Sequence, residues 1–233
     1  MNKCKIIALW VCLLGGQQNL SAQRAENASN WWVLPSSLVG LGILASTQSI
    51  KDAQTNFHQQ NVGNFHTNLD DFLQYTPTFI NVGLSVAHPN AKTRNAKITR
   101  FVLGTLMYAS VTQGLKRAIN VTRPDGADHS FPSGHTATAF FGAHLLAKET
   151  SDTPWIGYLG YGIATSTGLL RMANNAHWAS DVLVGAGIGM AAAELSYQLY
   201  PKLQRKWGNK HALQVNPIVG NNFYAFQVAF KLD

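Results

Sequence analysis

Residues 116–140 read KRAINVTRPDGADHSFPSGHTATAF, and residues 171–181 read RMANNAHWASD. These two stretches decide the fold, because their charged residues and histidines fall at helix boundaries. Lys116 ends a run from about Lys92 to Ile119 whose Ile98, Phe101, Val102, Thr105, Leu106, Ala109 and Val111 approximate helical spacing. Cations such as Lys116 and Arg117 favour a helix C-terminus. Residues 120–132 carry two prolines and a glycine and read as a loop. Pro132 followed by Ser133 signals a helix start, with Ser133 as N-cap of a helix through about Lys148. Ser151 to Pro154 is a turn, and Trp155 to about Arg171 is an apolar helix rich in Gly, Ser and Thr. Asn174–Asn175 breaks it, and a last helix runs from about Trp178 to Tyr200. Gly185, Gly187 and Gly189 there permit close helix packing.

Working outward, Pro35–Ser36–Ser37 starts a helix that continues through the apolar Leu38–Ala45. Lys51 to Asn68 is polar and reads as a surface helix or loop. Asp70–Asp71 opens a helical segment through Phe72, Leu73, Phe79, Ile80 and Val82, which Pro77 starts or kinks and His88–Pro89–Asn90 closes. Beyond Tyr200, residues 201–210 are basic and polar. Leu213–Val215 and Tyr224–Leu232 have strand composition, the latter alternating Tyr224, Phe226, Val228 and Phe230 on one face. The expected fold is all-α: a bundle of about six helices with a short C-terminal β-hairpin.

The first residues read as a leader. Lys3 and Lys5 precede an apolar run from Ile6 to Leu14, and Leu20–Ser21–Ala22 offers a small-residue cleavage site. This is the pattern of a secretory signal peptide, and the run is short for a membrane span. The expected organisation is a signal peptide over 1–22, a linker over 23–34, a helical domain over 35–200 and a basic tail over 201–233. Both cysteines, Cys4 and Cys12, fall in the leader. The mature chain then has no disulfide, no thiolate nucleophile and no cysteine metal site. Removing Lys3 and Lys5 lowers the formal charge from +7 to +5. A moderate positive excess suits an anionic substrate or membrane surface, whereas spread-out cations and export disfavour nucleic acid. Trp31–Trp32 marks either a membrane interface or ordinary core packing.

Three clusters carry the chemistry. Lys116 and Arg123 offer a mobile point charge and a planar fork for phosphate oxygens, with Pro124 stiffening the loop after Arg123. Taken alone, the pair is a weak signal, since a Lys and an Arg at such spacing are usually two solvated surface charges. Pro132–Ser133–Gly134–His135 sets free backbone N–H groups at a helix start, where anions bind. Gly134 permits close approach, Ser133 adds a hydroxyl, and His135 serves as a proton donor. The plain alternative is an N-cap with an exposed histidine. In the third cluster Asp181 lies four residues after His177, so on a helix the two share a face. Asp181 can hold one imidazole nitrogen and leave the other nucleophilic, as the third member of a catalytic triad does. A lone His–Asp pair at that spacing is more often a capping or surface pair. Arg171 adds a third cation.

Together the pattern is Lys, six residues, Arg–Pro; then Pro–Ser–Gly–His; then Arg, five residues, His, three residues, Asp. It resembles the signature of the type 2 phosphatidic acid phosphatase superfamily, which includes membrane lipid phosphatases, bacterial class A acid phosphatases and vanadium-dependent haloperoxidases. The motif block covers 66 residues, Lys116 to Asp181, and helices extend the match to about residues 35–200. The resemblance implies that Lys116, Arg123 and Arg171 bind the phosphoryl oxygens and that Ser133 and the Gly134 backbone add donors. It implies that His177 attacks phosphorus, Asp181 orients His177, and His135 protonates the leaving oxygen. It implies no metal or other cofactor. His129 and His144 are left as structural or surface residues.

The sequence departs from the family pattern at Leu170, where a serine usually precedes the arginine. This puts one accessory hydrogen bond in question, and Thr167 is the nearest substitute. The implied activity is an exported, membrane-associated, metal-independent phosphatase. Its expected substrate is a lipid phosphate: phosphatidic acid-like, an isoprenyl pyrophosphate or a lipid A phosphate. The alternatives are a soluble periplasmic acid phosphatase of broad specificity, a vanadate haloperoxidase, and an inactive membrane-associated interaction protein.

Overall fold

The computed structural model describes residues 30–207, 213–219 and 224–230. The leader, its cleavage position and most of the 23–34 linker lie outside the described residues. The chain is all-α apart from a terminal hairpin. Its helices are α1 (Val33–Leu44), α2 (Gln48–Asn61), α3 (Leu69–Leu73), α4 (Thr76–Val86), α5 (Ala91–Ala118), α6 (Gly134–Glu149), α7 (Pro154–Ala173) and α8 (Ala179–Trp207). Strands β1 (Leu213–Val219) and β2 (Tyr224–Phe230) pair antiparallel, with Leu213 opposite Phe230 and Val219 opposite Tyr224.

Helix α6 is the axis of the bundle. Its residues Thr136 to Ala139, Phe141 to Ala143, Leu145 and Leu146 are buried, and it packs on α4, α5, α7 and α8. Two apolar clusters surround it. Phe141 and Leu145 meet Ala192 and Ala193 of α8, with Phe101 and Tyr108 of α5 closing over them. Ala139 and Ala143 meet Ala164 of α7. Phe141 and Tyr108 stack with ring centroids 4.8 Å apart.

Small residues set the spacing of α6 and α8. A Cβ on Gly185 would lie 2.5 Å from the Ser133 carbonyl oxygen, and one on Gly189 would lie 2.3 Å from that of Ala137. Backbone contacts that close leave room for hydrogen only. Gly187 turns the other way, onto Pro35 and Val39 of α1.

Polar clamps hold the bundle end away from the 120–132 loop. Glu194 of α8 accepts from Lys148 at 2.6 Å and pairs with His144 at 2.9 Å, and Tyr161 of α7 contacts the other His144 nitrogen. Nearby, Glu149 pairs with Lys97 at 2.8 Å and accepts from the Tyr197 hydroxyl. His144, left unassigned by the sequence, is thus a packing residue.

Of the two readings of the polar run, the helix holds over most of its length, as α2. Element boundaries differ from expectation in two places. The segment opened by Asp70 splits into α3 and α4, with Pro77 in the first turn of α4. The last helix does not stop at Tyr200 but passes through Pro201 to Trp207. A proline there forfeits one backbone bond. The surrounding turn is anchored to α5 because the Arg100 guanidinium lies over both Tyr197 and Tyr200, at 4.5 and 5.0 Å.

Candidate active site

Three connections meet at one end of the bundle. The α5–α6 loop brings Arg123 and Ser130, the N-terminus of α6 brings Ser133 to His135, and the α7–α8 loop brings His177. Helix α3 and the C-terminal half of α2 lie against this last loop.

The α7–α8 loop is tied down along its length. Asn174 closes α7, and Asn175 takes a left-handed φ of 56° that ends the helical path. Asn174 bonds both ways with Thr67, at 2.8 and 3.0 Å. His58 bonds the Ala173 carbonyl at 2.9 Å. The Gln54 amide spans the start of α8, donating to the His177 carbonyl at 3.0 Å and accepting from the Ala179 N–H at 2.9 Å. Trp178 donates its indole N–H to the Thr122 carbonyl at 2.8 Å, joining this loop to the one carrying Arg123.

His177 is buried, and its Nδ1 faces Asp181 Oδ2 at 3.5 Å. Asp181 is itself fully buried. Its Oδ2 also accepts from the Ser130 hydroxyl and from the Trp178 N–H at 2.9 Å, and its backbone carbonyl accepts from the Ser133 N–H at 3.0 Å. Burial alone would raise the Asp181 pKa. The donors His177, Ser130 and Trp178 outweigh it and hold the carboxylate below its ordinary value. Burial pushes the His177 imidazole down to about 4, Arg171 and Lys116 push the same way, and Asp181 opposes them only in part. His177 is therefore neutral at pH 7, with Nδ1 toward the carboxylate and Nε2 left as the free lone pair.

Lys116 sits in the last turn of α5. Its ammonium donates to the carbonyls of His129 at 2.7 Å and Ser130 at 3.5 Å, while His129 Nδ1 returns a contact to the Lys116 carbonyl at 2.9 Å. His129 takes a left-handed φ of 58°, so the residue left unassigned by the sequence helps place Lys116. Burial lowers the Lys116 pKa to about 8, with the Arg123 guanidinium the next cause and Arg171 adding to it. Three cations therefore crowd one another. The Nε atoms of Arg123 and Arg171 are both buried without a hydrogen-bond partner. Mutually repelling cations with orphaned donors suit a polyanionic guest.

Ser133 is the N-cap of α6, as its sequence context suggests. Its Oγ accepts from the Thr136 N–H at 3.4 Å and the Thr136 hydroxyl at 2.9 Å. Both bonds use Ser133 as acceptor, so its own O–H proton is free to donate elsewhere. A side chain built on Gly134 would approach Lys116 Cε at 4.0 Å, which puts the glycine and the lysine on the same space.

Sequence reasoning missed four site residues. Ser130 gave no signal beyond being a serine two residues before Pro132. Asp70 and Asp71 read only as a helix opening, yet Asp70 Oδ2 binds Arg171 at 2.6 Å, Asp70 Oδ1 binds Asn174 at 2.9 Å, and Asp71 pairs with His135 Nε2 at 2.8 Å. Gln54 lay in a stretch with no motif at all. Donor atoms of Asp70, Asp71 and His135 lie within 4.8 Å of one another, the one group among the described residues close enough to share an ion. Each carboxylate already has a protein partner, and Arg171 puts a cation beside them. At the departure from the family pattern, Leu170 is partly buried, and the Thr167 hydroxyl donates to the Ile163 carbonyl at 3.0 Å. Thr167 therefore does not replace the usual serine.

Comparison with known proteins bears on the family and the fold. Residues 97–205 match the family model described as the PAP2 superfamily. The chain is 31% identical over 185 residues to lipid A 1-phosphatase from Porphyromonas gingivalis, covering 72% of this chain and 42% of that protein. It thus spans less than half the length of that curated relative. Two crystal structures share the fold. LpxE from Aquifex aeolicus aligns at a TM-score of 0.50 with 23% identity, over 61% of this chain and 93% of its own. The transmembrane PAP2-type phosphatidylglycerolphosphate phosphatase from Bacillus subtilis aligns at 0.52 with 20% identity, over 74% and 98%.

Proposed function

The chain belongs to the PAP2 superfamily, and from this premise we propose that it hydrolyses a lipid phosphate through a phosphohistidine formed on His177. The observation that carries the reading is the buried His177, backed by Asp181 at 3.5 Å, with Arg171 and Lys116 near enough to act on its charge.

In the first step the His177 Nε2 lone pair attacks phosphorus. The P–N bond forms as the bond to the leaving oxygen breaks, and His135 gives that oxygen its proton. Lys116, Arg123 and Arg171 neutralise the charge on the equatorial oxygens, with the Ser133 hydroxyl and the amides at the start of α6 as further donors. In the second step water attacks the phosphohistidine, His135 takes the water's proton, and the P–N bond breaks to release phosphate and restore both imidazoles. The positive charge required by the transition state is the protein's own.

The lipid part of the reading rests on surface chemistry. Apolar side chains project outward from several helices: Leu41 and Leu44 on α1, Phe79 on α4, Leu106 on α5, and Trp155 and Leu169 on α7 are each more than half exposed. These side chains leave apolar surface exposed on four helices. It suits association with a membrane, as do the Trp32 ring and the excess of positive charge. Among the described residues one helix, Ala179–Arg205, is long and apolar enough to cross a membrane, although 56% of its most apolar window is buried inside the bundle. The resemblance to lipid A 1-phosphatase favours a lipid A phosphate within the lipid class. Export through residues 1–22 would put the site on the periplasmic side.

The test is a substrate panel on detergent-purified protein: a lipid A phosphate, phosphatidic acid, an isoprenyl pyrophosphate and soluble phosphomonoesters, each with and without chelator. The expected result is metal-independent phosphate release, fastest on a lipid, from protein that fractionates with membranes. Equal activity on soluble esters from protein in the aqueous wash would overturn the lipid reading.

A further inference from the structure

We propose that Asp71 is a positioning residue that orients His135 and supplies the counter-charge its imidazolium needs to protonate the leaving oxygen. The proposal rests on His135 acting as the general acid.

The geometry begins with α3, a helix of five residues whose two adjacent carboxylates do different work. Asp70 is buried and belongs to the anion clamp, through its bonds to Arg171 and Asn174. Asp71 is half exposed at its side chain and reaches across to the first turn of α6, where it meets His135 Nε2 at 2.8 Å. Because Nε2 is taken by Asp71, Nδ1 is the nitrogen left for the leaving group. One contact therefore fixes both ring orientation and tautomer.

His135 needs such a partner because its surroundings work against a proton. It lies at a helix N-terminus, where the macrodipole disfavours a cation. The charged groups around it are Asp70 and Asp71 on α3 and Arg171 on α7. Lys116 of α5 approaches the adjacent Gly134, and the Asp181 carbonyl of α8 bonds the Ser133 N–H. Burial and Arg171 lower the His135 pKa, and the contributions that raise it are the two α3 aspartates, Asp71 first. Without Asp71 the imidazole would lose its hydrogen-bonded counter-charge, and the fraction protonated near neutral pH would fall. A half-exposed Asp–His pair counts for little in stability. Its consequence here is chemical, because a general acid must carry its proton into the transition state.

The test separates leaving-group protonation from structural damage. Wild type, Asp71→Asn, Asp71→Glu, Asp70→Asn and His135→Ala are assayed on dioctanoyl phosphatidic acid, whose alkoxide must be protonated, and on p-nitrophenyl phosphate, whose aryl oxide departs unprotonated. For Asp71→Asn, kcat/KM on the alkyl substrate, which excludes the later water attack that also uses His135, should fall at least tenfold while kcat/KM on the aryl substrate changes less than about threefold. The alkaline limb of its kcat/KM profile on the alkyl substrate should move to lower pH, and Asp71→Glu should restore part of the loss. Asp70→Asn should impair both substrates together. NMR titration of His135 gives a readout independent of turnover, and its pKa should drop in Asp71→Asn. Equal losses on both substrates, or an unshifted His135 titration, would overturn the role of Asp71. If His135→Ala retained alkyl-phosphate turnover, the general-acid reading itself would fail.

Discussion

Ser130→Ala is the sharpest single perturbation of the site, because the Ser130 hydroxyl touches the orienting carboxylate and lies 3.5 Å from His177 Nδ1, while Lys116 meets only its backbone carbonyl. Ser130 is fully buried, and its hydroxyl is the nearest donor to Asp181 Oδ2. The other two contacts to that oxygen are the Trp178 N–H at 2.9 Å and His177 Nδ1 at 3.5 Å. A hydrogen bond to a charged, buried acceptor is worth about 1.5–3 kcal/mol. If that loss appears in the transition state as a loosened carboxylate, and so a poorly aimed His177, kcat falls about 10- to 150-fold. KM should change by less than about twofold, since Ser130 binds no phosphate oxygen in this account. Phosphate release under saturating lipid in mixed micelles gives both constants, and chemical denaturation of the same samples reports the structural share. A kcat within twofold of wild type, or a loss confined to KM, would refute the reasoning that Ser130 acts through the His177–Asp181 pair.

Two further outcomes follow from packing and burial. Gly185→Ala puts a methyl 2.5 Å from the Ser133 carbonyl oxygen, so it should cost about 1–3 kcal/mol by overpacking and lower kcat by shifting the start of α6. Gly162→Ala meets nothing within 4 Å and should be neutral or stabilising by up to about 1 kcal/mol, which makes the two melting temperatures in detergent an internally controlled comparison. The His177 pKa is pushed down to about 4 by burial, so the unfolded chain binds that proton more readily than the folded one. Its stabilising contribution is complete above about pH 6.5 and is lost as pH falls toward 4, amounting to about 3 kcal/mol in total. Denaturation at pH 7.5 and pH 4.5 should show a drop that is smaller by about 2 kcal/mol in His177→Gln. Equal drops in the two proteins would contradict it.

Particular residues show what the sequence could and could not convey. Ser133 as N-cap, Lys116 in a last helical turn and the glycines of α8 were legible because each depends on local backbone geometry or on a short motif. Gly185 and Gly189 do pack against α6. Pro201 misled because its local cost is real, while the Arg100 contacts that offset it come from a helix about 100 residues earlier. Asp70, Asp71, Gln54 and Ser130 were silent for a related reason. Their partners lie 47 to 125 residues away in the chain, and nothing in their neighbouring sequence marks a carboxylate that will meet an arginine. Polar helix α2 is the extreme case: it reads as solvated surface, yet Gln54 and His58 pin the loop that carries His177.

The claim on which the rest depends is covalent phosphorylation of His177. Rapid quenching of wild-type protein with 32P-labelled lipid phosphate, followed by proteolysis, measures it directly. The account predicts an acid-labile, base-stable label on the peptide containing His177, formed within one turnover and absent from His177→Gln, which should also lose measurable turnover. Turnover retained by His177→Gln, or wild-type turnover with no label on that peptide under single-turnover conditions, would contradict it.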